Sequence, residues 1–455
     1  MGTAFKRNFL WGSSTNAQQF EGGWDKGGKG LSIADVRKVS GMSANSDFPG
    51  FKRASDHYTH YQQDIALYGE IGFQIYRFSM AWTRIFPNGD DPEASKEGLA
   101  FYDRILSELE KYKIQPVVTL YAYDLPLALL KKYNGWMNRE CIKAYTRYVE
   151  TVVHYYKGRV KYWIPFNEQN FLSLDSEYMT GYRAKSREEV FRLEHHFNLA
   201  YAAATKIVHQ VDPEAKAGGN IGNICVYPKT CNPKDVEACD EFMKRIGYAP
   251  GDVYFRGKYP AYLLKQYEGI NFDQIIHDGD LEQIKSVEPD FMSLTYYMSS
   301  AVGAEDLIEK DSQQMNGIKI TNPFVKQTEW GWNIDPYGFK HYLEDFYHRY
   351  QLPILILENG LGHRDKIEND AVHDDYRIQY LAAHIERMKE AEADGVDLIG
   401  YLTWSATDLY STREGFEKRY GFVYVDKATL KRTKKDSLYW YKKVIETNGA
   451  DLSNK

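Results

Sequence analysis

Pro353-Ile354-Leu355-Ile356-Leu357-Glu358-Asn359-Gly360 is an uninterrupted aliphatic run that ends on a carboxylate. A short run with no polar alternation reads as a strand covered on both faces, the kind found in parallel sheets. A glutamate at its carboxyl end then points into the mouth of a sheet or barrel, where enzymes of this architecture work. Tyr162-Trp163-Ile164 leads in the same way into Phe166-Asn167-Glu168. One strand-end glutamate is an ordinary feature; two, each beside an asparagine, suit cleavage of a glycosidic bond, one giving a proton and the other attacking or activating water.

With these two segments included, strand-like runs fall at 9–16, 74–79, 116–121, 160–166, 215–221, 291–297, 353–357 and 398–404. Between them lie stretches such as 99–113, 139–156 and 376–393, whose apolar residues recur near helical spacing. Eight strands alternating with helices predict an α/β fold: a single (β/α)8 TIM barrel with enlarged βα loops, the whole of 1–455 forming one catalytic domain. The regions 227–272 and 301–323 are expected to be the long excursions. No tandem repeat, low-complexity tract or Pro/Ser-rich linker marks a second domain.

Composition fits a large enzyme core. The 455 residues are 43% hydrophobic and 15% aromatic, and the net charge of -6 gives no general support for nucleic-acid binding. Cys141, Cys225, Cys231 and Cys239 form no CxxC pair and have no histidines at zinc-ligand spacing, so reduced thiols are expected. Gly27-Gly28-Lys29-Gly30 lacks nucleotide-loop spacing, and His195-His196 is expected on a helix surface or in packing. The basic stretch Lys431-Arg432 with Lys434-Lys435 reads as a solvated face. No run approaches membrane-spanning length and no secretory leader is apparent, so a cytoplasmic enzyme without membrane insertion is expected. No metal or organic cofactor is implied, and the composition is compatible with a homo-oligomer.

Other strand ends carry sugar-handling side chains. Arg77 can keep a neighbouring carboxylate ionised, Tyr296 can donate a hydrogen bond to it, and Trp404 can stack on a pyranose face. From end to end the chain resembles glycoside hydrolase family 1. The resemblance is carried by Phe9-Leu10-Trp11-Gly12-Ser13-Ser14-Thr15 with Gln19 and Glu21-Gly22, and by Tyr76-Arg77-Phe78-Ser79 with Trp82 and Arg84-Ile85-Phe86-Pro87. It continues through Asn167-Glu168, Glu329-Trp330-Gly331-Trp332 and Glu358-Asn359-Gly360.

The resemblance implies a retaining β-glycosidase in which Glu168 is the general acid/base and Glu358 the nucleophile. Asn167 would then contact the sugar 2-hydroxyl, with Arg77 and Tyr296 supporting the nucleophile. Gln19, Glu21 and Trp404 fall on or near glycon-binding positions, and Trp330 is the aglycone-side candidate. Such an enzyme needs its carboxyl groups about 5–5.5 Å apart and its acid protonated at the start of the cycle.

Substrate class turns on Ser411-Thr412-Arg413-Glu414-Gly415-Phe416-Glu417-Lys418-Arg419-Tyr420. Ordinary β-glucosidases of the family carry Glu-Trp where Ser411-Thr412 stand. Here Ser411, Lys418 and Tyr420 match the phosphate-binding trio of the 6-phospho-β-glycosidases: two hydroxyls and an ammonium offered to a dianion. Thr412 leans towards 6-phospho-β-glucosides, whereas the Ser411 to Lys418 spacing looks closer to the 6-phospho-β-galactosidase loop, leaving galacto or dual specificity as the alternative. Two departures stand out: Ala122 where the family has a histidine on the glycon 3-hydroxyl, and Pro165 where it usually has threonine. They motivate a further alternative, a catalytically impaired phosphosugar-binding protein.

Overall fold

The computed structural model describes residues 3–37, 50–305 and 322–454. Eight parallel strands close a barrel: β1 (Leu10–Ser14), β2 (Ile75–Ser79), β3 (Gln115–Thr119), β4 (Tyr162–Ile164), β5 (Lys216–Ile221), β6 (Phe291–Tyr296), β7 (Ile354–Asn359) and β8 (Leu398–Trp404). Each pairs with its neighbours in sequence, and β1 closes on β8. All eight expected runs are found, with shifts of a few residues at their ends.

Alternation along the strands divides the core in two. Ile75, Val117, Tyr162, Ile164, Phe291, Leu355, Leu357 and Leu402 fill the barrel interior. Their immediate neighbours Tyr76, Val118, Trp163, Met292, Ile354, Ile356 and Tyr401 belong to the larger cluster under the helices. Burial on both faces explains why β7 reads as an unbroken aliphatic run.

The surrounding helices are α1 (His57–Ile71), α2 (Lys96–Lys111), α3 (Arg139–Tyr155), α4 (Arg187–Val211), α5 (Ala249–Arg256), α6 (Pro336–Tyr350), α7 (Asp375–Ala393) and α8 (Asp436–Glu446). In α3, Asn138 caps the first turn by accepting from Glu140 N–H, and Cys141, Ala144, Tyr145, Tyr148, Val149 and Val152 form its buried stripe.

The segment 227–272 is not a mere excursion. It holds four helical segments, among them α5, whose Tyr254 packs on Tyr201 of α4. Of the other expected excursion, residues 306–321 lie outside the described residues. His195 is buried against Asp280 and Tyr259, and His196 against the carbonyl of Trp136, so both pack rather than face solvent. The four cysteines are free, and only Cys231 among them is exposed.

The basic stretch near the carboxyl end departs from the expectation of a solvated face. Arg432 is buried on Asp64. Lys435 is fully buried between Asp365 and Asp408, the latter at 2.7 Å. Charges this deep stay charged only when paired and hydrogen-bonded, and a composition-based reading cannot see a partner 27 or 70 residues away. Among the described residues, no helix is long and apolar enough to cross a membrane.

Candidate active site

Glu358 stands at the end of β7, only 5% exposed. The pairing of β7 with β6 slips between Ile356 and Glu358, a bulge that re-aims the following side chain at the mouth of the barrel. Its Oε1 accepts from Arg77 Nη1 at 2.8 Å and its Oε2 from the Tyr297 hydroxyl at 2.7 Å. Arg77, with no exposed surface, is fixed on β2 by donating through Nε to Thr119 Oγ1 at 2.8 Å, and it also donates to Asn167 Oδ1.

Tyr297 replaces the expected Tyr296 as the hydroxyl partner of Glu358. Tyr296 ends β6 facing outward, where its hydroxyl donates to the Asp335 carbonyl at 2.7 Å and its ring packs against Phe339, Tyr342 and His384. Successive strand residues face opposite sides, so an error of one residue exchanges the helix layer for the site. The pair Tyr296-Tyr297 offers no sequence signal for choosing between them without the register.

Glu168 sits just beyond β4 with φ +43° and ψ +48°, a left-handed conformation uncommon for a residue with a Cβ. Its N–H donates to Asn220 Oδ1 at 2.7 Å, which pins the turn to the end of β5. A Cβ at Gly222 would lie 2.9 Å from Glu168 Cβ and 2.6 Å from the Phe171 ring, so glycine is required for Glu168 to approach β5. Pro165 falls after the last ladder residue of β4, and its carbonyl accepts from Tyr145 at 2.6 Å. The missing N–H therefore interrupts no strand pairing within β4.

Tyr123, like Tyr297, is a hydroxyl of the candidate site that was not among the residues expected from the sequence. It adopts φ +64°, donates its hydroxyl to Glu168 Oε2 at 2.5 Å and accepts from Asn167 Nδ2 at 2.9 Å. Ala122 beside it is buried, and its N–H donates to Asp124 Oδ1 at 3.2 Å. The signal available was the tyrosine next to that departure.

The electrostatics separate the two carboxyls. Burial and the charge of Glu358 push Glu168 up to about 8, against the opposing hydrogen bond from Tyr123. Burial also raises Glu358, but the Arg77 guanidinium and the Tyr297 hydroxyl pull against it. Glu168 is accordingly the group that keeps its proton near neutrality while Glu358 ionises first.

Around this pair, Trp404 ends β8 and packs with Phe20, Leu409 and Tyr420. Gln19 is buried, its Nε2 donating to the Tyr410 carbonyl at 3.1 Å and its Oε1 accepting from Asn16 at 2.7 Å. Glu21 is turned away from the mouth: Arg84 and Tyr102 take its two oxygens at 2.7 and 2.8 Å, so its expected glycon contact is replaced by a buried ion pair.

The 411–420 turn is joined to Glu358 through aromatic rings. Tyr297 packs 5.6 Å from Trp332 and 6.2 Å from Tyr420. Lys418 Nζ rests 3.4 Å over the Trp332 ring and lies 5.3 Å from Trp330. Trp330 thus stands on the Lys418 side of the mouth, under the guanidinium of Arg364 at 4.1 Å. Lys418 is 1% exposed, Ser411 and Tyr420 are buried, and Thr412 is partly exposed on the same turn.

Behind the turn, Arg377 donates to the Tyr420 carbonyl at 3.0 Å, while Asp408 accepts from Arg419 at 3.0 Å, Gly421 N–H at 2.9 Å and Lys435 at 2.7 Å. Gly362 leaves the passage for Lys418 open, since a Cβ there would fall 2.5 Å from Lys418 Cε. Among the described residues, no group of three or more His, Cys, Asp or Glu could hold a metal ion.

A closed (β/α)8 barrel with two electrostatically unequal glutamates at its mouth defines a glycosidase-type site. The profile of glycosyl hydrolase family 1 matches residues 1–450, and the chain belongs to that family. Its relatives include a 6-phospho-beta-glucosidase of Clostridium longisporum, 43% identical, the match covering 99% of this chain and 98% of that one. Another is a phospho-cellobiase of Klebsiella oxytoca, 41% identical with 98% and 99% covered. Among solved structures, the family 1 β-glucosidase of Thermotoga maritima superimposes with a TM-score of 0.87 at 32% identity, covering 99% of each chain.

Proposed function

We propose that the protein is a retaining 6-phospho-β-glucosidase, hydrolysing phosphorylated β-glucosides to glucose 6-phosphate and an aglycone, with 1–455 acting as one catalytic domain. The observation that carries the substrate class is the buried Lys418 ammonium, on the same turn as the buried Ser411 and Tyr420 and linked to Glu358 through Trp332 and Tyr297. A buried cation on a turn that also carries two hydroxyls suits a phosphate dianion far better than a neutral sugar hydroxyl. The names of the relatives agree with this reading.

In the proposed reaction the Glu358 carboxylate attacks the anomeric carbon while Glu168 gives its proton to the glycosidic oxygen, and the aglycone departs as an alcohol. Arg77 and Tyr297 hold Glu358 ionised and aimed. Esterification removes the Glu358 charge, so the Glu168 pKa falls. Glu168 then takes a proton from water, whose oxygen attacks the anomeric carbon and frees Glu358. Asn167 faces the 2-hydroxyl, Gln19 and Trp404 face the glycon, and Thr412 lies beside its phosphate end. Sugars phosphorylated during uptake are met in the cytoplasm, the compartment assigned here.

The test compares kcat/KM for 4-nitrophenyl β-glucoside 6-phosphate, its galacto isomer and the unphosphorylated glucoside. The expected order is phosphoglucoside first and plain glucoside last. Equal rates on phosphorylated and plain glucosides overturn the substrate class. A faster galacto isomer overturns the gluco preference, which the Ser411 to Lys418 spacing leaves as the second reading. Absence of a Glu358 adduct after exposure to a bound 2-fluoro-6-phosphoglucoside would instead favour a phosphosugar-binding protein, the outcome that Ala122 motivates.

A further inference from the structure

A carboxylate of the protein itself lies in the region of the proposed phosphate-binding trio. Glu414 Oε2 accepts from Ser411 Oγ at 3.0 Å and lies 3.9 Å from Lys418 Nζ. One carboxylate oxygen therefore meets two of the three side chains assigned to phosphate. The turn is built to bring it there: Ser411 and Gly415 exchange backbone hydrogen bonds of 3.1 and 3.0 Å, and Gly415 at φ +57° folds the segment back over Ser411.

We propose that Glu414 is a displaceable internal counter-ion that holds the phosphate seat until substrate arrives and thereby sets how strongly the enzyme binds 6-phosphosugars; this rests on the phosphoglycosidase reading above. The physical reason lies in Lys418. An ammonium 1% exposed is stabilised by any anion within reach, and Glu414 is one that an incoming phosphate would meet at the same seat. Glu414 provides a single charge at long range. Its side chain is 25% exposed at the outer edge of the turn, so it can return to water when displaced.

A phosphate brings a charge of about -1.5 to -2 and three acceptor oxygens, enough to outcompete one carboxylate for Ser411 and Lys418. A neutral 6-hydroxyl cannot do so and is left facing Glu414. The residue thus lowers affinity for phosphorylated ligands while leaving that for uncharged sugars little changed.

The experiment measures inhibition by glucose 6-phosphate and by glucose, with KM for the phosphorylated nitrophenyl glucoside, in the wild type, Glu414→Gln and Glu414→Ala. Removing the competing charge is expected to lower Ki for glucose 6-phosphate and KM for the phosphoglucoside about tenfold in both variants, with Ki for glucose changed far less. The advantage should shrink as salt is raised. Unchanged or weaker glucose 6-phosphate binding in both variants, with the wild type still preferring phosphorylated substrate, overturns the counter-ion role alone. A wild type that binds glucose 6-phosphate no better than glucose overturns the phosphoglycosidase reading, and the counter-ion role with it.

Discussion

The two ends of the site are held in different ways. At the cleavage end, Glu358, Arg77 and Thr119 belong to barrel strands, and their bonds of 2.8 Å join β7, β2 and β3 directly. At the proposed phosphate end, Ser411, Lys418 and Tyr420 ride on a turn beyond β8 that is anchored from behind by Asp408, Asp365, Arg377 and Lys435. Strand ends fix side chains through the ladder itself. A turn needs an ion cluster as a second scaffold, and its exposed positions are free to set which sugar enters.

The largest expected effects break the strand-held end. Replacing Glu358 by Gly should lower kcat/KM by at least about 10⁴-fold, because removal of a covalent nucleophile leaves only binding and the remaining acid. Added azide should restore turnover and give the α-glycosyl azide, one displacement having been lost. For Glu168→Ala, azide should instead give the β-azide from an activated aryl substrate, both displacements remaining. The anomeric configuration of the azide product, read by NMR, assigns the two roles, and the reverse pattern would exchange them.

Next in size is the scaffold of the turn. Lys435→Met leaves Asp365 and Asp408 without their shared cation, and a broken buried pair of this kind costs about 3–5 kcal/mol in denaturant unfolding. The pH dependence has a definite sign. Although burial opposes it, Arg377 and Lys435 depress the Asp365 carboxyl to about 2, so its stabilising contribution is present above the ordinary carboxylate range and is lost as pH falls through it towards 2. The acid limb of the stability curve should therefore flatten in the variant. An unchanged limb would mean that the cluster does not hold the turn.

Within the turn itself, Lys418→Met should lower kcat/KM on the phosphorylated substrate about 10–150-fold, the worth of about 1.5–3 kcal/mol for a charge-assisted hydrogen bond, with little change on the plain glucoside. Equal losses on both substrates would show that Lys418 supports the fold of the turn rather than reading phosphate.

The contrast between the two ends also explains what was legible in the sequence. Ile354 to Leu357 and Tyr162 to Ile164 are continuous apolar runs because parallel strands are buried on both faces, so barrel and glutamates were readable together. Which of Tyr296 and Tyr297 faces Glu358 was not, since one residue of register decides it and β7 is bulged against β6 at that level. Lys435 misled for a related reason. Four basic residues within five positions look solvated until the fold brings Asp64, Asp365 and Asp408 to two of them. Glu414 was visible, but its place over Ser411 depends on backbone pairing across a five-residue turn.

The smallest effect tests how far the acid/base depends on a residue outside the strand ends. Tyr123 donates to Glu168 Oε2 at 2.5 Å, and this bond favours the ionised carboxyl, opposing the burial and the Glu358 charge that bring Glu168 to about 8. The basic limb of kcat/KM reports loss of the proton that Glu168 must deliver. In Tyr123→Phe the carboxylate loses a donor, its pKa rises, and that limb should move to higher pH by about one unit. The same change weakens Glu168 as an oriented base, so turnover of a dinitrophenyl phosphoglucoside, whose leaving group needs no acid, should fall where hydrolysis of the glycosyl ester is limiting. A purely packing role for the ring would lower rates without moving the limb. A downward shift would mean that the hydroxyl serves the protonated form instead, making Tyr123 an acceptor from Glu168 and placing its own proton elsewhere at the mouth.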